Sequence, residues 1–433
     1  MPPCMKQFGI GLVGCGTVGG GVWRNLNAKR EVIASRTGVE FDIRRVAVRD
    51  VSRHGDIPAD RLFTNWREVV HDSRVEIVVE LMGGTSTALE VTRAALEAGK
   101  PVVTANKALL AEHGQALATL ADTKGLPLYF EASVAGGIPI IKVLREGLRA
   151  NAIRSIHGII NGTCNYILTR MSEQKESFDT VLADAKRLGY AEADESLDVD
   201  GIDAAHKAAV LASLAYGFWI TADQVYVEGI RGVTDLDTRM ASKLGYTIKL
   251  LGIIRQHSCT GVEVRVHPTL IPSNHVLASV GGVFNAIAVD GDIVGRTLFY
   301  GRGAGADATS SAVLSDICEA GMDLACKRRP VSASGHNLYG KLLTMDEVVT
   351  RRYVRLTVLD TPGVLGQVAS IFGSYNIGIS SVFQPEEHEG ESLPLIMLLD
   401  PAKESVFRQA SAQVSALEVV KAAPTVLRME DFS

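Results

Sequence analysis

The sequence predicts an α/β protein that opens with a doubly wound parallel sheet and closes with a small ferredoxin-like βαββαβ unit. Three observations carry this. The apolar run 8–13 leads straight into Gly14-Cys15-Gly16-Thr17-Val18-Gly19 and then into a stretch of helical character at 22–26. Short apolar runs alternate with helical segments as far as Phe130, the rhythm of βαβ units. Beyond residue 350 the order changes to strand, helix, strand, strand, helix, strand, which fits a ferredoxin-like unit.

Bulk properties narrow the function. A chain of 433 residues is long enough for two or three domains. A hydrophobic content of 46% with 21% charged residues is that of a globular protein. The net charge of −5 and the lack of a basic stripe argue against nucleic acid as a partner. The longest apolar run, 208–220, falls short of the ~20 residues that span a bilayer. The N-terminal residues lack a signal-peptide pattern. Six scattered cysteines (Cys4, Cys15, Cys164, Cys259, Cys318 and Cys326) form no CxxC pair. Together these features predict a cytoplasmic protein without a disulfide scaffold.

A strand, a GxGxxG turn and a helix in succession are the context of a dinucleotide-binding fingerprint. Gly14 would allow the tight turn, Gly16 the approach of a pyrophosphate, and Gly19 close packing of helix on strand. The second strand, 42–48, ends in Arg49-Asp50 with Arg53 behind. An acid there suits a ribose 2′-hydroxyl and an arginine a 2′-phosphate; the reading leans to NADP through Arg49 and keeps NAD open. Strands at 76–81 and 101–104 are followed by Met82-Gly83-Gly84-Thr85 and Ala105-Asn106-Lys107. Ligands of doubly wound sheets bind beyond such carboxyl ends, which places Gly84, Thr85 and Lys107 near a cofactor or substrate. A helix is expected at 108–124 and a last strand at 128–130. The turn 131–139 could offer oxygen ligands to a hard cation, although a plain strand-to-helix turn is the default.

A strand at 156–160 and a helix at 165–173 flank Asn161-Gly162-Thr163, which either caps that helix or offers N–H groups to a carboxylate. Residues 188–217 follow, LGYAEADESLDVDGIDAAHKAAVLASLAYG. Glu192, Asp194, Glu195, Asp198, Asp200 and Asp203 crowd together before Lys207. On a helix Asp203 and Lys207 share one face. A surface pair of that kind is worth only ~0.3–0.5 kcal/mol, but a lysine entering an apolar helix is a candidate acid, base or clamp. Residues 230–289 read as strand-rich, with sheet at 252–255 and 263–267 offering a face to a partner subunit. A second glycine-rich turn, 301–309, contains Gly305 and leads into an apolar helix at 310–320. Residues 327–350 read as a linker. The tail then predicts strands at 353–359, 377–384, 393–400 and 419–429, with helices at 363–375 and 403–415.

The blocks GCGTVG, ELMGGT, TANKALLA, EASVAGGIPII, NGTCNYIL, LGYAEADESLDVDGIDAAHK and YGRGAGADAT, in this order, resemble a bacterial homoserine dehydrogenase over about residues 8–325. DTPGVL at 360–365 and NIGI at 376–379 resemble an ACT domain. The resemblance implies a Rossmann-type NAD(P)-binding domain at 1–133, with the 306–325 helix packed back onto it. It implies an α+β catalytic and dimerisation domain at 134–325, a linker at 326–350 and an ACT regulatory domain at 351–433.

It further implies reversible NAD(P)H-dependent reduction of L-aspartate 4-semialdehyde to L-homoserine, in threonine, methionine and isoleucine biosynthesis, by a homodimer or homotetramer. Lys207 matches the family's catalytic lysine and Asp203 its acidic partner. Glu192 and Asp198 fall on the substrate side. Gly189 and Gly305 match cofactor-side glycines, beside Gly14, Gly16, Thr17, Val18, Gly19, Arg49 and Thr85, and Lys107 serves cofactor and substrate. Glu131, Val134, Gly136 and Ile138 match a monovalent-cation site, usually sodium. Threonine is the implied effector of the tail, whose removal at 351–433 would abolish inhibition and spare activity, whereas loss of both would mark the tail as chiefly structural. A related semialdehyde dehydrogenase and a non-enzymatic amino-acid sensor are the competing readings; Lys207, Asp203 and Glu192 speak against the sensor.

Overall fold

The computed structural model describes residues 6–191, 194–257, 261–328, 341–384 and 392–432. They divide into two compact units. Unit 1 comprises Met1–Arg154, Ala205–Val225 and Phe284–Tyr339, and unit 2 comprises Ser155–Ala204, Tyr226–Val283 and Gly340–Ser433. Compactness thus cuts the chain differently from sequence order, because segments far apart in the chain share each core.

In unit 1 the strands β1 (Lys6–Val13), β2 (Val39–Ala47), β3 (Leu62–Phe63), β4 (Ile77–Glu80), β5 (Val102–Thr104) and β6 (Leu128–Tyr129) form one parallel sheet in the order β3-β2-β1-β4-β5-β6. This is the doubly wound order, reversing direction between β1 and β4. β-Branched and leucine side chains on the strands, including Ile10, Leu12, Ile77, Val79 and Val103, are buried on it. The Ala306–Cys326 helix adds Ala312, Val313, Ile317 and Ala320 to the same core. Two of its acids anchor it as well: Asp316 accepts the Glu131 N–H at 2.7 Å and Asp323 accepts the Tyr129 hydroxyl.

The later strands in chain order are β7 (Ile153–Ile159), β8 (Tyr226–Val227), β9 (Tyr246–His257), β10 (Gly261–Pro272), β11 (Phe284–Gly291), β12 (Gly295–Arg302), β13 (Val349–Leu359), β14 (Ile379–Phe383), β15 (Ser392–Lys403) and β16 (Thr425–Met429). β11 and β12 make an antiparallel hairpin in unit 1. The sheet of unit 2 runs β7-β9-β10-β16-β13-β15-β14, with β8 also on β10. Within it β16-β13-β15-β14, with helices Val364–Ser374 and Glu404–Ser415, is the expected βαββαβ unit. Its β16 edge pairs in parallel with β10, Thr269 opposite Arg428 and Leu270 opposite Met429.

Residues 230–289 are strand-rich as expected, with β9, β10 and most of β11, and they also hold the helix Asp235–Lys243, whose capping box joins Thr234 to Asp237. One expectation needs correction: 326–350 is not a linker throughout. Residues 329–340 lie outside the described residues, but Leu343 N–H donates to the Val262 carbonyl at 2.8 Å and Val262 N–H to that of Lys341 at 2.9 Å. Those bonds satisfy backbone groups of β10 that would otherwise need water. Among the described residues no helix is long and apolar enough to cross a membrane.

Candidate active site

The glycine turn in unit 1 has the geometry that a dinucleotide requires. Gly14 has φ +95°, and a Cβ there would lie 2.7 Å from the Leu81 backbone. A Cβ on Gly19 would lie 2.3 Å from the Gly14 carbonyl oxygen, so only glycine lets the helix Thr17–Ala28 sit this close. At Gly16 a Cβ would meet nothing within 4 Å. The helix that begins there has neither a side-chain cap nor an acid in its first turn, where Thr17 is exposed and Val18 half-buried. Its free N–H groups and dipole suit a pyrophosphate. Where β2 ends, Arg49 and Asp50 are both exposed. The Asp50 carboxylate accepts the Ser52 hydroxyl at 2.6 Å and N–H at 3.1 Å, and pairs with Arg53 at 3.2 Å. The Ser52 bonds hold it below the usual carboxylate range. A cavity of about 690 Å³ lined by Ser52, His54, Asp56, Ile57 and Leu62 among others opens beside this turn.

At the carboxyl ends of β4 and β5, one buried network joins the two loops. Glu80 accepts the Met82 N–H at 2.8 Å and the Thr104 hydroxyl at 2.6 Å. Thr104 accepts the Asn106 N–H at 3.0 Å, and the Asn106 amide donates to the Gly84 carbonyl at 2.7 Å. Asn106 also caps the Lys107–Lys124 helix through the Leu109 N–H. Thr85 precedes the Ser86–Glu97 helix, and Lys107 opens its own; both are half-buried.

The loop from Glu131 to Ile138 is buried at Glu131, Val134, Gly136 and Ile138. Both oxygens of the Glu131 carboxylate are engaged, accepting the N–H groups of Ile141 and Lys142 at 2.8 Å each. That carboxyl is pushed up, mainly by burial. Ala135 and Gly136 take left-handed conformations, and the Ile138 carbonyl accepts the Ile140 N–H. Among the described residues no group of three or more His, Cys, Asp or Glu side chains is arranged to hold a metal, so a cation here would depend on main-chain carbonyls. Gly305 opens the Ala306–Cys326 helix with no atom within 4 Å of a Cβ position.

In unit 2 the structure brings Asp198 and Asp203 onto one side chain. The Asn161 amide donates to Asp198 at 2.7 Å and to Asp203 at 3.0 Å, while its oxygen accepts the Cys164 N–H and so caps the Gly162–Gln174 helix. Thr163 donates to the other Asp198 oxygen at 3.0 Å. Asp203 is buried and Asp198 half-buried. The Ile202–Tyr216 helix carries Asp203 and, one turn later, the half-buried Lys207. The remaining acids play other parts. Glu195 and Asp200 are clamped by Arg231, and Asp194 accepts the Ser196 N–H. Gly189 follows the Phe178–Arg187 helix with φ +76°. Glu192 lies outside the described residues.

Comparison with known proteins identifies this framework. Residues 14–131 match the family model described as "Homoserine dehydrogenase, NAD binding domain", and residues 139–318 the one described as "Homoserine dehydrogenase". A homoserine dehydrogenase of Pseudomonas aeruginosa is 42% identical over 99% of this chain and 100% of its own length. The chain belongs to the homoserine dehydrogenase family. The crystal structure of a homoserine dehydrogenase from Thiobacillus denitrificans superposes with a TM-score of 0.94 at 42% identity, covering 99% of both chains. A hyperthermophilic archaeal homoserine dehydrogenase mutant in complex with NADPH has a TM-score of 0.62 at 29% identity, and covers 72% of this chain but 97% of its own. A putative homoserine dehydrogenase from Archaeoglobus fulgidus likewise covers 72% of this chain and 99% of its own, at 36% identity and a TM-score of 0.66. As a homoserine dehydrogenase the chain is an NAD(P)-dependent oxidoreductase acting on a CH–OH group.

Two features of the chain do not follow from its sequence motifs. Asn161 does more than cap a helix, since it also gathers two carboxylates; no local pattern announces contacts to residues 37 and 42 positions away. Lys249 is buried on β9, donating to Asn165 and to the Val280 carbonyl, and burial lowers it to about 8. Its signal was available, as a lysine within the otherwise apolar run YTIKLLGII.

Proposed function

We propose that the chain interconverts L-aspartate 4-semialdehyde and L-homoserine with NADP(H) as its preferred cofactor, and that Lys207 and Asp203 handle the proton. The nicotinamide supplies or accepts the hydride. Negative charge then builds on the aldehyde oxygen, where a fixed acid commonly contributes ~10²–10⁴-fold. Lys207 is that acid in this reading, and Asp203 orients the substrate hydroxyl end. The observation that carries the assignment is the fixed carboxylate of Asp203, held by Asn161 one helical turn before Lys207. Glu192 and Asp198 serve the substrate's ammonium group, and Gly189, Gly305, Thr85 and Lys107 serve the cofactor.

The preference for NADP is supported by Asp50. Its oxygens are occupied by Ser52 and Arg53, whereas Arg49 is exposed beside them. A sodium ion, if bound, would rest on the main-chain oxygens of Glu131, Val134, Gly136 and Ile138. The βαββαβ unit is read as an ACT domain that lets threonine inhibit, in a cytoplasmic homodimer or homotetramer. One assay tests the core of this. Homoserine oxidation is followed with NADP and with NAD, for wild type and K207A. The expected result is a lower KM for NADP and a kcat at least ~10²-fold lower in K207A. Turnover of K207A within a few-fold of wild type would remove Lys207 from the chemistry.

A further inference from the structure

Glu80 ends β4 and is completely buried. No cationic side chain pairs with it among the described residues. The strands on either side place Val13 and Thr104 opposite it, and its hydrogen-bonding neighbours are the Thr104 hydroxyl, the Met82 N–H and the Asn106 amide, all uncharged. The helices packed on β4, Ser86–Glu97 and Ala306–Cys326, bring no charge to bear on it. An apolar residue would suit this position better, unless the two donors that converge on the carboxylate need it.

They join different loops. Oε1 takes the Met82 N–H, in the loop that ends at Thr85. Oε2 takes the Thr104 hydroxyl, and Thr104 holds the Asn106 N–H in the loop that ends at Lys107. The Asn106 amide closes the ring on the Gly84 carbonyl. We propose that Glu80 is a positioning residue, whose carboxylate fastens the 82–85 and 105–107 loops together and so sets where Thr85 and Lys107 meet the nicotinamide cofactor. This rests on the reading of those two loops as cofactor-binding given above.

The proposal has a signature that a purely structural role lacks. Burial pushes the Glu80 carboxyl up to about 7, against the lowering effect of its hydrogen bonds from Thr104, Met82 and Asn106. Both close partners donate to it, so a proton on Glu80 either displaces the Met82 N–H or makes the Thr104 hydroxyl turn to accept, in competition with the Asn106 N–H that it already holds. Glu80 stays buried whether the loops are fastened or loose, and its hydrogen bonds favour the ionised form, so the fastened loops loosen as pH falls through about 7 even though the fold as a whole gains from the proton.

The test is NADPH binding by fluorescence titration of the full chain between pH 6 and pH 8.5, with KM and kcat measured in parallel. Wild type is expected to bind about tenfold more weakly at pH 6 than at pH 8.5, with KM for the cofactor following Kd and kcat changing less. E80Q presents an NH₂ group to one of the two donors. It should bind about tenfold more weakly than wild type at pH 8.5 and show no inflection near 7. T104V keeps the shape and removes one donor, so the inflection should move upward. If E80Q does not fold, T104V decides. A wild-type Kd that does not vary with pH, an E80Q profile that matches wild type, or an unmoved inflection in T104V would overturn the proposal. Failure of wild type to bind NADPH at any pH would instead overturn the cofactor reading on which it rests.

Discussion

The sheets of the two units are held by opposite means. In unit 1 the parallel strands bury aliphatic side chains against the Ala306–Cys326 helix, and the acids buried there, such as Glu80 and Asp316, accept from backbone N–H groups or a hydroxyl. In unit 2 alternate positions of β10 bury Glu263, Arg265 and His267, at 1%, 1% and 0% exposure. Arg265 pairs with Glu263 and with Glu430, which also holds Arg255. Arg428 on β16 is held by Glu404 at 2.7 Å and by Glu228 at 2.7 Å, and Arg352 shares Glu404. Asp237 takes both Arg355 and the Tyr353 hydroxyl. Each network joins the βαββαβ unit to the sheet or helix that precedes it in the chain. An apolar core tolerates a lost neighbour by partial collapse, but a buried ion whose partner is removed has no such recourse. The C-terminal unit is therefore built into unit 2 through charges.

The largest effect should come from removing it. Deletion of residues 351–433 strips Arg265 of Glu430 and Asp237 of Arg355, each loss costing about 3–5 kcal/mol where the remaining charge stays buried. Their sum rivals the ~5–15 kcal/mol of a whole domain. The truncated chain is expected to lose both folded structure, by circular dichroism and gel filtration, and activity. From the sequence this outcome stood as the alternative to the one in which only inhibition is lost. The archaeal relatives lacking counterparts to about a quarter of this chain do not contradict it, since a protein without those partners need not bury those charges. A truncated enzyme that stays active and loses only its response to threonine would break the contrast between the units.

A single residue sharpens it. R428M should cost about 1–3 kcal/mol in urea unfolding, because the buried Glu404 keeps Arg352 but loses the two bonds that Arg428 gave it. I77V, a conservative trim of the unit 1 core, should cost about 0.5–1.5 kcal/mol. Replacing Arg428, Glu404 and Arg352 together by Met, Leu and Met should recover most of the loss, because an apolar set of similar volume avoids the desolvation of three ions. Equal costs for R428M and I77V would mean that the network adds little beyond its packing.

The same contrast explains what could be read from the sequence. The strand, glycine turn and helix at 8–26 were legible because each step is local: period, turn and start signal lie within a few residues. The βαββαβ order of the tail was legible for the same reason. The embedding of that tail was not, since Arg428 meets Glu228 across 200 positions and Tyr353 meets Asp237 across 116. At the candidate site Asp203 and Lys207 stood out through helical spacing and family motif. The bonds that tie these regions together, from Asn161 to the carboxylates of Asp198 and Asp203 and from Thr104 to Glu80 between the 82–85 and 105–107 loops, are tertiary and no spacing records them.

The smallest expected effect is a divergence of the two units with pH. In unit 1 burial raises Glu80 to about 7 and Asp316 to about 8. A carboxyl that is raised in the fold contributes stability that is present below its unfolded value, near 4, and lost as pH rises through its folded value. In unit 2 burial opposes ionisation of Glu263, but Arg265, His257 and Arg255 hold it down at about 2, while burial lowers His157 to about 3. Depressed groups contribute stability that is present above their unfolded values and lost as pH falls through the folded ones. For His157 that loss begins below about 6.5, and for Glu263 below about 4.5. Hydrogen exchange at pH 5 and pH 8.5, corrected for intrinsic rates, should therefore show β4 and β5 better protected at pH 5 and β9 and β10 better protected at pH 8.5. A change of about tenfold in protection corresponds to one unit of pKa shift. Parallel movement of both sets of strands would mean that the units unfold as one, and that their different chemistry leaves no separate trace in stability.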